Sequence, residues 1–138
     1  MIKYLAFAAV AGVALASGAA QAKSPWPSNV VGTWSANANQ TALTIKIASQ
    51  ASSGECRQIV GTIAAQSQGT PDNLLGIYCP TSGHIAFTRT IAGAFTAFQN
   101  YTANLSQKAA PTYMGGVFAE NATPANVGEY GFYATKGR

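Results

Sequence analysis

Charge is scarce in this chain. Of 138 residues, 8 are Lys or Arg, 4 are Asp or Glu and one is His, so charged side chains fill only 9% of positions. Phosphate binding needs Lys and Arg gathered on one face, and these are scattered, which argues against a nucleic-acid partner. Histidine is nearly missing as well. His84 stands alone, with no G-x-S-x-G, H-E-x-x-H or phosphate-cradling glycine loop to give it a nucleophile or a metal to serve. The carboxylates Glu55, Asp72, Glu120 and Glu129 lie in turn-rich or terminal surroundings and suggest no acid/base pair. No catalytic residue and no cofactor is therefore expected. Two cysteines and one distant histidine fall short of the four ligands of a structural metal site. Past residue 22, no segment keeps 3.6-residue spacing over three turns, which leaves room for a helical turn or two and no more.

What the chain does have begins with a leader. Lys3, an apolar run from Tyr4 to about Ala16 and the small-residue exit Ala20-Gln21-Ala22 read as a secretory signal peptide over 1–22. The run is too short and too rich in Ala and Gly to span a membrane comfortably, so membrane insertion is not expected. Removing 22 of 138 residues leaves 116 beginning at Lys23, enough for one domain and too few for two. A periplasmic or secreted chain meets an oxidising compartment, where Cys56 and Cys79 should pair. Closing a loop of about 24 residues is worth ~3 kcal/mol by the chain-entropy model. Without Lys3, seven cations face four carboxylates, and the surface must be built from Ser, Thr, Asn, Gln and Ala. Such a lightly charged face leaves room for a homo-oligomer.

The remainder reads as strands. Residues 23–29, KSPWPSN, have two prolines around Trp26 and no periodicity, which predicts an extended, partly mobile arm; residues 30–138 form the domain. Within it, Ile85, Phe87 and Arg89 alternate with His84, Ala86 and Thr88, the period of two that a strand with two different faces requires. Pro80-Thr81-Ser82-Gly83 just before it supplies a fixed φ and a residue free to take φ > 0, as a reversal needs. The same logic places strands over 30–35, 41–48, 56–65, 74–79, 84–90, 95–106, 113–120 and 128–135, with a turn over 49–55 and a bulge or bend at Gly61. Eight short strands joined in sequence predict an all-β fold. Its first form is an eight-stranded antiparallel up-and-down barrel, which removes sticky edges and encloses an interior that side chains fill or that holds one small ligand. A sandwich is the alternative.

Gly32-Thr33-Trp34, Ile59-Val60-Gly61-Thr62, Phe98-Gln99-Asn100-Tyr101-Thr102-Ala103 and the closing stretch from Val127-Gly128 to Lys136 resemble the strand framework of avidin and streptavidin barrels. GTW with alternating strands also suits lipocalin-like proteins and exported protease inhibitors. The resemblance implies an eight-stranded barrel, often tetrameric, with a ligand at one mouth. It does not extend to the biotin-binding residues: Ser35-Ala36 follow GTW, Gly61-Thr62-Ile63 replaces the GTY stretch, and no Trp comes after Trp34. The expectation is thus an exported, non-catalytic binding protein for an unknown small ligand, with Trp34, Arg89, Tyr101 and Tyr130 as candidate ligand-binding residues. Arg89 has two readings: it binds a ligand carboxylate in the cavity, or it closes one end of the barrel by packing on an aromatic such as Trp34. The alternative function is a protein-binding module, such as an inhibitor of an extracytoplasmic hydrolase with Trp26 as anchor, or a surface-exposed antigenic protein.

Overall fold

Eight strands, each hydrogen-bonded antiparallel to its neighbours in sequence, close on themselves when the last pairs with the first. The computed structural model describes residues 23–94, 96–108, 111–121 and 127–137. The predicted leader, the start of the expected sixth strand at Phe95 and residues 122–126, between the two last expected strands, lie outside them. The strands are β1 (Gly32–Ala38), β2 (Thr41–Ser53), β3 (Cys56–Ala65), β4 (Asp72–Cys79), β5 (His84–Thr90), β6 (Ala97–Leu105), β7 (Tyr113–Glu120) and β8 (Gly128–Lys136). There is no helix among the described residues.

Alternation decides which side chains enter the barrel. Leu43, Ile45 and Ile47 of β2, Ile59 and Ile63 of β3, Ile85 and Phe87 of β5 and Phe132 and Ala134 of β8 are all buried in one core cluster. Exchanging small for large side chains across neighbouring strands makes the interior fit. A Cβ on Gly76 would lie 2.2 Å from the Ala86 carbonyl oxygen and 2.5 Å from the Phe87 Cβ, and one on Gly116 would lie 2.0 Å from the Thr102 oxygen. These two inward positions can hold nothing but hydrogen, and the aromatic rings fill the room they leave. Phe87 stacks on Tyr101 at 4.7 Å, Tyr101 on Phe118 at 5.1 Å, and Phe132 meets Tyr101 edge-on at 5.0 Å.

The turns depart from expectation in two places. The segment 49–55 is not a long turn: β2 runs on to Ser53, and only Gly54 and Glu55 reverse the chain. Gly54 carries φ +61°, as the first position of a tight two-residue hairpin requires. The Ser-Gln-Ala-Ser-Ser tail of β2 pairs with β3 through its backbone and has too little apolar contrast to announce itself. The bulge lies on β2, between Ile47 and Ser49, opposite the Gly61-Val60 stretch rather than at Gly61. At the other end of β1, Asn39 (φ 45°) and Gln40 (φ 68°) make a two-residue turn with both residues left-handed, the I′ geometry that matches strand twist. The first strand consequently extends to Ala38, three residues past the end expected at Ser35.

The two cysteines form a disulfide, Cys56–Cys79, 23 residues apart. They are cross-strand neighbours, one step beyond the Arg57–Tyr78 pair of β3 and β4. Such a bond is typical of periplasmic or secreted proteins.

Candidate functional site

The two ends of the barrel are finished by different chemistry. At one end the arm folds over the strand ends. Val30 is fully buried, and its backbone N–H donates to Gln50 Oε1 at 3.0 Å, while Gln50 Nε2 donates to the Ser28 oxygen at 3.0 Å. Trp34 is fully buried beside it and donates its indole N–H to the Val30 oxygen at 3.0 Å. Tyr78 donates to the Pro27 oxygen, and the Lys108 N–H donates to the Pro25 oxygen at 2.7 Å. Burial pushes the Tyr78 phenol up to about 12. Trp26 is half-buried against the core, over Gly83, where an added Cβ would come within 2.2 Å of its indole. The arm has no regular structure, as expected, but Ser24, Pro25, Pro27 and Ser28 are hydrogen-bonded to residues outside it and Trp26 packs on the core, so it is tied down at five residues. Its aromatic residue is engaged by its own barrel.

The opposite end, the mouth, is finished by a polar network that continues the inward rows of β4, β5, β6 and β7. Asp72, Arg89, Gln99 and Glu120 occupy the same parity as Leu74, Phe87, Tyr101 and Phe118, so each points inward where its strand reaches the rim. Arg89 donates through Nε to Asp72 Oδ2 at 2.9 Å, through Nη1 to Gln99 Oε1 at 3.0 Å and through Nη2 to Gln68 Oε1 at 2.7 Å. Nη2 also lies 2.7 Å from Asp72 Oδ2, in an ion pair whose two side chains are 9% and 8% exposed. The guanidinium lies over the Phe98 ring at 4.9 Å. Asp72 further accepts from Gln68 Nε2 at 2.8 Å and from the Ala92 N–H at 3.2 Å. Burial alone would raise its pKa; the hydrogen bonds from Gln68, Arg89 and Ala92 and the positive charge of Arg89 outweigh that and hold it below the usual carboxylate value. Gln99 donates to Glu120 Oε2 at 2.9 Å and accepts from the Tyr101 hydroxyl at 2.7 Å. Burial drives the Tyr101 phenol up to about 12, against the pull of Arg89. No buried side-chain polar atom of the described residues lacks a partner.

Above this network opens a cleft of about 120 Å³, lined by the tip of the first hairpin at Ala38, Asn39 and Thr41, by Leu43 and Ala65, and by Arg89, Gln99, Tyr101, Phe118 and Glu120. Of the four candidate ligand-binding residues, Arg89 and Tyr101 line it. Tyr130 stands one ring behind, against Phe118 at 5.4 Å. Trp34 belongs to the arm end. Arg89 therefore does not pack on Trp34: alternation gives both side chains the same side of the sheet, but β1 buries Trp34 near its start and β5 places Arg89 near its finish. Its partner ring is Phe98. With Nε, Nη1 and Nη2 all engaged by Asp72, Gln99 and Gln68, Arg89 is a closing residue of the rim more than a free anion receptor. Sequence reasoning missed Gln68, Asp72, Gln99 and Glu120. The last three were accessible to it, because each stands two residues from an inward apolar residue.

The remaining tyrosines divide by parity. Tyr113 and Tyr133 are exposed on the outer wall. His84 begins β5 at the arm end, so the chain's only imidazole is at the far end of its strand from the cleft. Compared with known proteins, the chain matches no family model, and no curated protein and no solved structure matches it significantly.

Proposed function

We propose that this is an exported, non-catalytic binding protein built on an avidin- or lipocalin-like barrel, and that it takes a small ligand, or a small group of a larger one, at the mouth. The observation that carries the reading is the cleft itself. Among the described residues it is where the inward rows of β4, β5, β6 and β7 end in polar groups with an opening beside them, while the arm covers the other end. Below it the Phe87, Tyr101, Phe118 and Phe132 rings pack against one another in the core. A cleft of about 120 Å³ is well under the roughly 300–1,000 Å³ of pockets that enclose drug-sized molecules, so recognition is confined to a few atoms at the rim. The distance of His84 from the cleft supports a binding role over a catalytic one.

Native mass spectrometry of the protein purified from its own host tests this. A co-purifying small mass is expected on the wild type and absent from Leu43→Trp, which fills the cleft; a mass retained by that variant would remove the mouth as the site.

A second reading, a protein-binding module such as a hydrolase inhibitor, is favoured by the outer wall. Val60 and Leu75 face each other across β3 and β4 and are 41% and 44% exposed, with Ile77 at 45%. A groove of about 410 Å³ borders Val60, Leu75 and Gly93. A partner that stays bound to a Leu75→Asp, Ile77→Asp variant would rule this face out.

A further inference from the structure

We propose that the mouth is a site for a small organic cation, an alkylammonium or guanidinium group, with Glu120 as its counter-charge and the Tyr101 and Phe118 rings as its floor; the proposal rests on the mouth being the ligand site. The first argument is a charge balance. Three charged side chains belong to the rim: Arg89, Asp72 and Glu120. Arg89 and Asp72 neutralise each other in a pair with almost no exposure, and the donors of the guanidinium point at Asp72, Gln99 and Gln68. The Glu120 carboxylate is what remains. Among the described residues it has no cationic partner and accepts a hydrogen bond only from Gln99 Nε2. The chain as a whole carries a formal charge of +4, yet this end of the barrel is left with a net negative charge.

The second argument is chemical complementarity. A carboxylate with unused lone pairs accepts from ammonium or guanidinium N–H groups, and such charge-assisted bonds are the strong ones. The Phe118 and Tyr101 rings, stacked on each other, give the same cleft an apolar floor against which the methyl groups of an alkylated ammonium pack. The Asn39 side chain at the hairpin tip adds a neutral acceptor. An anion would meet the opposite arrangement: Glu120 would repel it, and Arg89 would have to abandon Asp72 to receive it. The volume admits a few heavy atoms, which fits the charged end of a molecule whose remainder lies outside.

The experiment is a titration of the isotope-labelled full mature chain followed by NMR, reading the side-chain amides of Gln99 and Asn39. The probes are methylammonium, guanidinium and tetramethylammonium chlorides, with sodium acetate as the anion and acetamide as the neutral control. Saturable shifts at both amides are expected for the cations alone. Glu120→Gln, which can still accept from Gln99 and whose folding is checked by its thermal midpoint, should bind the cations about tenfold more weakly or worse. Phe118→Leu should weaken tetramethylammonium more than methylammonium. Saturation by acetate or acetamide in place of the cations, or equal cation binding by Glu120→Gln, would overturn the assignment of charge. A silent mouth would overturn it too. In each case a co-purifying mass lost in Leu43→Trp would show that the mouth still binds a ligand of other chemistry.

Discussion

The arm end and the mouth end close the same barrel by opposite means. At the arm end the strand ends are covered by apolar mass, with Val30 and Trp34 fully buried and Trp26 laid over Gly83. At the mouth the closing groups are charged and amide side chains that satisfy one another, Arg89, Asp72, Gln68 and Gln99. Apolar closure is non-directional and gains from every buried atom, so it suits an end that need not open. Polar closure gains little net energy but fixes geometry, and it leaves a defined set of donors and acceptors facing outward. The difference teaches where a function can be located in a molecule with so little charge: at the end whose closure is directional.

The comparison breaks most visibly at Trp34. Trp34→Ala should cost close to 5 kcal/mol, because the site is walled by strands and arm and has little freedom to collapse; urea unfolding reads it. No second substitution at the arm end should restore the loss.

The mouth should behave otherwise. Arg89→Met should cost about 3 kcal/mol or more, since it strands the buried Asp72 carboxylate. Adding Asp72→Leu should recover a large part of that loss, and a double-mutant cycle by urea unfolding measures the coupling. The pair also sets the acid response. Asp72 is held below its unfolded value of about 3.9, so its contribution is complete above that pH and is lost as pH falls through the lower folded value. Asp72→Asn should flatten the acid limb of the stability curve.

A smaller effect sharpens the comparison at the arm. Gly83→Ala places a methyl against the Trp26 indole at a residue with φ +73°, which should cost at least about 1 kcal/mol and raise acrylamide quenching of Trp26. Cleft binding should not change.

The smallest effects come from the two phenols, one at each end. Tyr78 and Tyr101 are both raised to about 12, so their stabilisation is intact below the ordinary tyrosine value of about 10 and is lost as pH climbs through 12. Tyr101→Phe should change stability by no more than about 1 kcal/mol, because Gln99 Oε1 keeps the Arg89 donor. Tyr78→Phe should cost more, since the Pro27 oxygen loses the phenol's bond. Each variant should move alkaline unfolding, followed by circular dichroism, to higher pH.

Much of the fold was legible because inward apolar residues recur at every second position. The bounds read for β3, β5 and β7 agree with the structure, and the disulfide followed from there being two cysteines in a chain expected to meet an oxidising compartment. What alternation cannot report is height along the barrel. Trp34 and Arg89 share a side of the sheet and stand at opposite ends, a fact fixed by strand order and register rather than by period. Nor does it register pairing between strands of similar polarity, which is why the Ser-rich tail of β2 reads as a turn and the bulge is expected at Gly61 of β3 rather than on the facing stretch of β2. Asp72 and Glu120 read from the sequence as turn or terminal carboxylates and Gln99 as a surface amide, although their parity is that of the core. Gln68, in the β3–β4 loop, had no signal at all.

The central claim is that one end of the barrel is closed by the arm as part of the core while the other is an open polar rim. Residue-resolved hydrogen exchange of the chain over residues 23–138 tests it most directly. The Val30 amide, the Trp34 indole N–H and the Leu105 amide should exchange only with global unfolding, while the mouth-loop amides of Gln68 and Ala94 exchange orders of magnitude faster. Rapid exchange at Val30 and the Trp34 indole, with the mouth loops protected, would contradict it.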